Sequence, residues 1–406
     1  MNLKFIKEGI TSPKGFMSSG ISCGIKGKNL KDLALVMSAS PCNSAGVFTK
    51  NKIKAAPILV TQNHLKSKTA RAIIANSGNA NTCTGKKGIE DAEKMCSLVA
   101  KESGIEKDDV LVASTGIIGV KLDIDSIENS VPHLVKKLDK EGYKDASEAI
   151  MTTDTFPKTL SVKFEIQGKP AVIGVMAKGS GMIHPNMGTM LSFITTDVNI
   201  SSDLLEKALR ESVRISYNRI SVDGDTSTND TVLIMANGLS GNEMIEKENE
   251  DYRIFLEVLE KLNVKIAKMI AKDGEGATKL IECRALNVPS ERDGEIFAKS
   301  IICSNLVKTA FFGCSANWGR ILDAVGYSGG DFDINKLQVC IGSSKGNIMV
   351  FKNGEPVKFS AGEAKDILSE DEVYISLDFN SGSHNVRCWG CDLTYDYIKI
   401  NGDYMS

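Results

Sequence analysis

Along this chain the apolar positions fall into two periods. Short runs rich in β-branched residues, bounded by polar or glycine-bearing stretches, predict strands at VLVAS (110–114), LSVKFEI (160–166), AVIGVMA (171–177) and TVLIMA (231–236). Three more are predicted at QVCIG (338–342), NIMVF (347–351) and EVYISLDF (372–379). Elsewhere the step is three or four. Phe255, Val258, Leu259, Leu262, Ile266 and Ile270 recur that way between charges, which predicts a helix over 251–271. A second helix is expected from about Asp203 to Ser216, with Asp203 as N-cap ahead of Leu204, Leu205, Ala208 and Leu209. A third is expected to begin near Glu291, after Pro289 and Ser290, and to carry Ile296, Phe297, Ile301, Ile302 and Leu306. Strands interleaved irregularly with helices predict a layered α+β body, not a regular doubly wound sheet. The segment 281–290, IECRALNVPS, is expected to divide that body from a smaller second one.

Composition adds exclusions. A chain of 406 residues is long enough for two or three domains. Its 42% hydrophobic and 25% charged content is that of an ordinary globular protein. A formal net charge of −2 argues against nucleic-acid binding, which calls for a basic stripe. The start, MNLKFIKEGITSPKGF, has no apolar core or small-residue cleavage site, so it does not read as a signal peptide. No apolar run approaches a membrane span, and a soluble cytoplasmic protein is expected. The ten cysteines then read as small buried hydrophobes rather than a disulfide framework. CWGC, Cys388 to Cys391, has the spacing of a redox dithiol, but no βαβ pattern follows it, and two cysteines on one strand are favoured. The four histidines (64, 133, 184 and 384) lack the spacing of a zinc site, so no metal is expected.

Five polar clusters lie beside predicted strands or at a helix end: ASTGIIG (113–119), MTTDTFPK (151–158), KGSGM (178–182), SVDGDTSTND (221–230) and AKDGEGATK (271–279). One such cluster is a turn. Five, rich in Thr, Gly and acid yet short of His, point to a shared polar pocket. None has phosphate-loop spacing, and no nucleophile elbow occurs. His184 is as well explained by surface polarity as by catalysis. Threonine has another route to reactivity, because a Thr at a chain start uses its own α-amine as base. That amine titrates near 7.7–8.0 in model peptides, so a usable fraction is free at neutral pH. Thr189, behind the small Gly188, would gain such an amine if its hydroxyl attacked the Gly188 carbonyl and water hydrolysed the ester.

These residues resemble a known family over nearly the full length: the ornithine acetyltransferases, or glutamate N-acetyltransferases, of arginine biosynthesis. The resemblance is carried by SGNANTCTG (77–85), STGIIG (114–119), TTDTFPK (152–158), KGSGMIHPNMGTML (178–191) and NRISVDGDTSTNDT (218–231). KDGEGATKLIE (272–282), NWGRI (317–321) and WGCDLTYDYIKINGDY (389–404) continue it in order. It implies self-cleavage at Gly188–Thr189 into an α chain, 1–188, and a β chain, 189–406. Thr189 would then take acetyl from N-acetylornithine and pass it to glutamate in a ping-pong exchange. The Thr115 hydroxyl and Gly116 N–H would form the oxyanion hole, where losing one donor costs about 2.7–4 kcal/mol of barrier. Substrate contacts map to Thr152, Lys178, Thr189, Glu275, Asn401 and Ser406. Lys178 suits an α-carboxylate and Glu275 a cationic amine.

The resemblance further implies an α/β/β/α sandwich (1–280) with a smaller C-terminal α/β domain (281–406) whose tail returns to the site. It implies an α2β2 heterotetramer, no bound cofactor and no metal. It leaves open whether acetyl-CoA is also a donor. Two departures stand out. The family usually has alanine where Gly188 stands, and slower self-cleavage is expected. Its DPNWGR reads SANWGR here, with Ser315 and Ala316, and a local loop change is expected. The rival reading is an N-terminal-nucleophile amidohydrolase or aminopeptidase with water as acceptor.

Overall fold

The computed structural model describes residues 3–6, 8–184 and 190–403. The first part contains β1 (Lys4–Ile6), β2 (Phe16–Ile21), β3 (Leu33–Phe48), α1 (Ala56–His64), β4 (Thr69–Asn79), α2 (Gly85–Ser103), β5 (Val110–Ile117), α3 (Ile124–Lys136) and α4 (Tyr143–Ala149). The middle runs through β6 (Lys158–Ile166), β7 (Lys169–Lys178), β8 (Leu191–Thr196), α5 (Ser202–Ile215), β9 (Ile220–Ser221), β10 (Thr231–Ala236) and α6 (Glu250–Lys272). Then follow β11 (Leu280–Val288), α7 (Glu291–Cys303), α8 (Asn305–Phe312), α9 (Trp318–Gly326), β12 (Gln338–Ser343) and β13 (Gly346–Lys352). The chain closes with β14 (Glu355–Pro356), α10 (Ala361–Leu368), β15 (Glu372–Asp378), β16 (His384–Cys391) and α11 (Tyr395–Asp403).

Among the described residues a nine-stranded sheet runs β1-β6-β7-β8-β10-β3-β4-β5, with β2 also on β3. The long β3 turns it into two layers. Its first half pairs with β2 and β4, and its second with β10. The β3–β4 register shifts between Met37 and Cys42, where Pro41 sits. Proline lacks the N–H that a regular ladder needs, so it is tolerated at such a break.

Three stacked cores follow from strand alternation. Leu33 and Leu35 join the core that Ile74 and Val112 share with Met95 of α2 and Ile127 of α3. Ala34 and Val36 face the opposite way, into a core shared with Phe193, Leu233 and Met235 of the other half-sheet. Past that layer, Ile194, Val232 and Ile234 pack on α5 and α6. The order helix, sheet, sheet, helix is therefore the α/β/β/α sandwich expected from the resemblance.

Helix α6 buries the predicted stripe of Phe255, Val258, Leu259, Leu262, Ile266 and Ile270, and Asn249 caps it by accepting from the Tyr252 N–H at 3.1 Å. Each such burial contributes about 1.5–3 kcal/mol. Two helix expectations are corrected. The N-cap of α5 is Ser201, and Asp203 lies in its first turn, paired with Lys68. Helix α7 stops at Cys303, so Leu306 belongs to α8 and is exposed. Ser304 ends the first helix and caps the second through the Val307 N–H, which breaks the periodicity.

A second sheet of seven strands, β14-β13-β12-β15-β11-β16-β9, carries α7 to α10 on one face. Residues 281–288 of the expected divide form most of β11, between β15 and β16. Cys388 lies in the core beneath those helices and Cys391 in the core of α6, so the CWGC cysteines serve different layers. Ser315 and Ala316 form the turn between α8 and α9, where Asn317 caps α9. No helix among the described residues is long and apolar enough to cross a membrane.

Candidate active site

All five polar clusters meet at one cleft that opens to solvent. Thr115 and Gly116 come from the end of β5, Thr152 and Thr153 from the loop before β6, and Lys178 from the end of β7. Glu275 comes from the turn after α6, and Asn401 from α11. The structure thus brings together six residues singled out in the sequence. Gly188, Thr189 and Ser406 lie outside the described residues. Met190, next after Thr189, is placed: its N–H donates to Asp230 Oδ1 at 3.1 Å, and its carbonyl accepts from the Thr231 N–H at 3.1 Å.

Two walls differ in chemistry. On one, Lys178 Nζ donates to Thr152 Oγ1 at 2.6 Å and lies 3.7 Å from Asp154 Oδ2. Asp154 Oδ1 accepts from Lys158 Nζ and the Gly179 N–H, both at 2.7 Å, and its Oδ2 accepts from the Thr152 N–H at 3.0 Å. Lys158 also reaches Asp273 Oδ2 at 2.5 Å. Burial alone would raise the Asp154 pKa, but the Lys178 and Lys158 ammonium charges hold it well below the usual carboxylate range. Burial pulls the Lys178 pKa below its ordinary value, with Lys158 adding to it, against the opposing pull of Asp154.

The other wall is hydroxyl, amide and backbone. Thr115 Oγ1 is buried with no hydrogen-bond partner among the described residues. Gly116 has φ +133°, and a Cβ on it would stand 2.3 Å from the Gly78 carbonyl carbon and 2.5 Å from the Asn79 nitrogen. Only glycine fits that close parallel pairing. Asn229 Nδ2 donates to the Ala80 and Ser114 carbonyls, each at 2.7 Å. Its Oδ1 accepts from Thr82 at 2.8 Å and Thr228 at 2.6 Å.

At the mouth, Asn401 Nδ2 donates to Glu275 Oε2 at 2.7 Å. Gly276 makes this approach feasible: with φ +67°, a Cβ there would lie 2.6 Å from the Tyr397 nitrogen at the start of α11. The Glu275 carboxyl rests on Gly181, where a Cβ would come within 2.4 Å. His184 is half-buried, with Nδ1 3.3 Å from Ser221 Oγ and 3.7 Å from Cys303 Sγ, and burial lowers its pKa. Asp154, Lys158, Asp273, Asn229 and Asp230 lie inside the quoted motifs but carry no role that the sequence reveals. Their residue types were visible; their partners, often more than a hundred positions away, were not.

A buried ammonium, a carboxylate and several hydroxyls lining one cleft form a polar site of the kind enzymes use. Comparison with known proteins agrees with that class. Residues 17–406 match the ArgJ family, and this chain belongs to it. It is 50% identical over 397 residues, 98% of each chain, to the arginine biosynthesis bifunctional protein ArgJ of Caldanaerobacter subterraneus subsp. tengcongensis. The protein of that name from Bacillus subtilis is 47% identical over 398 residues, 98% of this chain and 96% of its own. Among solved structures, the arginine biosynthesis bifunctional protein argJ of Bacillus halodurans is 46% identical with a TM-score of 0.51, all of it matching 53% of this chain.

Proposed function

We propose that this ArgJ-family chain is an acetyltransferase of arginine biosynthesis whose Thr189 carries acetyl from N-acetylornithine to glutamate. The Thr189 hydroxyl first attacks the Gly188 carbonyl, and water hydrolyses the ester. This leaves chains 1–188 and 189–406, the second beginning with a free α-amine. That the whole of a solved relative corresponds to 53% of this chain supports a mature protein made of two pieces. The catalytic body is 1–280 and the smaller domain 281–406, whose tail, with Asn401 and Ser406, returns to the site.

In transfer, the Thr189 amine takes the hydroxyl proton as the oxygen attacks the acetyl carbonyl. The Thr115 hydroxyl and Gly116 N–H donate to the oxyanion, and the proton leaves on the ornithine nitrogen. Glutamate's amine attacks the acetyl-threonine and departs as N-acetylglutamate. Lys178, beside Thr152, pairs with the α-carboxylate common to donor and acceptor, and Glu275 with the cationic end of ornithine. The observation that carries this reading is the buried Thr115 hydroxyl, without a partner among the described residues, in a cleft that Lys178 and Glu275 also line. Those two charges suit an amino-acid acceptor, which favours transfer over hydrolysis. The relatives' bifunctional name supports a second donor, acetyl-CoA, feeding the same threonine, with no cofactor retained. The two chains assemble as an α2β2 heterotetramer in the cytoplasm.

Intact mass spectrometry tests the reading. Two chains and a 42 Da acetyl adduct (roughly, from replacement of one hydrogen) on the second are expected with N-acetylornithine. Thr189→Ala should give neither, and an alanine variant that still splits and acetylates glutamate would sink it. Acetate release at full rate without glutamate would turn it into a hydrolase. Acetylation of glutamate from acetyl-CoA decides the second donor.

A further inference from the structure

Two neighbouring residues that the reaction does not consume tie its two halves together. Asn229 spends its whole amide on one side of the cleft. Both Nδ2 bonds go to carbonyls that flank the oxyanion turn, Ala80 after β4 and Ser114 directly before Thr115. Its oxygen is held by Thr82 and Thr228, so the side chain has no freedom to turn. Asp230 reaches the other side. Its Oδ1 takes the N–H of Met190, its own carbonyl takes the Thr49 N–H at 3.0 Å, and the next residue's N–H holds the Met190 carbonyl. Both residues are buried, and β10 starts immediately after them, paired in parallel with β8.

Resting on the reading of Thr189 as nucleophile, we propose that Asn229 and Asp230 are positioning residues that act as one rigid spacer. They set the separation between β8, which starts at Leu191 two positions after Thr189 in the sequence, and the Thr115–Gly116 turn. Neither side chain need touch substrate. A carboxyl is not required for its charge, only for an acceptor at Oδ1. Burial raises the Asp230 pKa well above the ordinary carboxylate value, which is consistent with a role as acceptor rather than ion.

Such a spacer matters because attack and oxyanion binding must coincide within fractions of an ångström, and a misplacement of about 1 Å costs about 100-fold in rate. Asp230→Ala removes the acceptor of the Met190 N–H, and Asp230→Asn restores one of the same shape. The expected result, per acetylatable Thr189 counted by mass spectrometry, is a kcat about 100-fold lower for D230A with KM within about three-fold, and recovery to within about five-fold of native for D230N. A folded D230A that stays uncut counts for the spacer too, since the cut needs the same alignment. A per-site kcat for D230A within about three-fold of native overturns the proposal, as does a D230N as damaged as D230A, which would assign the carboxyl a chemical role. If D230A does not fold, Thr82→Val decides: loss of one bond to Asn229 Oδ1 should lower kcat about five-fold at unchanged KM, and an unchanged kcat overturns the proposal. Thr189→Ala separates this failure from that of the reading beneath it. An alanine there that still cuts and acetylates sinks the nucleophile, whereas D230A at native rate sinks only the spacer.

Discussion

The two walls of the cleft solve opposite electrostatic problems. The Lys178 wall holds two ammoniums and two carboxylates out of water, each with a partner. The Thr115 wall offers a hydroxyl, a glycine backbone and amides, and the carboxyl of Asp230, next to Asn229 in that wall, is biased by burial toward its uncharged form. Permanent charge suits groups that are charged throughout the reaction, such as an α-carboxylate or an ammonium. Charge on an acyl oxygen exists only near the transition state, and oriented neutral donors stabilise it without tightening ground-state binding equally. On the proposed reading, the difference between the walls separates recognition from catalysis in space.

The sharpest way to break that separation is on the neutral wall. Gly116→Ala would drive a Cβ into backbone atoms of Gly78 and Asn79, with no flexible side chain to yield. Either the turn shifts and the proposed oxyanion donors with it, or β5 loses its pairing with β4. A fall of about 100- to 1,000-fold in kcat per acetylatable site is expected, with KM much less affected. Near-native kcat would remove Gly116 from catalysis.

On the charged wall the leading effect should be on stability. Asp154→Asn leaves the buried Lys178 without a carboxylate partner and Lys158 with Asp273 alone, which costs about 3–5 kcal/mol. Urea unfolding at neutral pH reads this. The pH dependence carries a sign: the folded-state pKa of Asp154 is depressed, so its stabilisation is present above the unfolded value, about 3.9, and is lost as pH falls through the folded one. The gap between native and D154N should therefore narrow below about pH 4. A gap independent of pH would show that shape, not charge, is what Asp154 supplies.

Lys178 gives a smaller effect at the other end of the scale. Its pKa is lowered by burial, so its charge is lost at a pH below the ordinary lysine value. KM for N-acetylornithine should climb on the alkaline side with a midpoint under about 10.4, while kcat changes less. A flat KM through that range would unseat Lys178 as the carboxylate partner.

How far the chain could be read depends on whether a signal is local. Strand 231–236 was predicted to the residue and α6 to within one at each end, because their apolar period is strong and uninterrupted. The long β3, on which the layering turns, went unread. LALVMSASPCNSAGVF is rich in Ala and Ser, poor strand formers, and Pro41 interrupts it. In the site, Thr115, Lys178 and Glu275 stand out through family motifs, while Asp273 earns its place only by folding 115 positions back onto Lys158. No periodicity encodes such a pair. Asn229 is similar: four hydrogen bonds to three segments are a property of the tertiary fold, and the residue itself looks like any turn asparagine.

The smallest effect tests whether the mouth belongs to the charged wall. Asn401 is exposed, on a helix with no buried residue, and its single bond to Glu275 is the tie between that helix and the site charge. Asn401→Ala leaves the Glu275 carboxyl in place on Gly181 but free to take other rotamers. A bond of this kind at an exposed position contributes about 1 kcal/mol, so KM for N-acetylornithine should rise about five-fold with kcat unchanged. KM for glutamate, which brings no side-chain cation, should move less. If both rise together, α11 supports the cleft as a whole. If kcat falls instead, the boundary drawn between a recognising wall and a reacting wall is in the wrong place, because a residue at the mouth would then be acting on the chemistry.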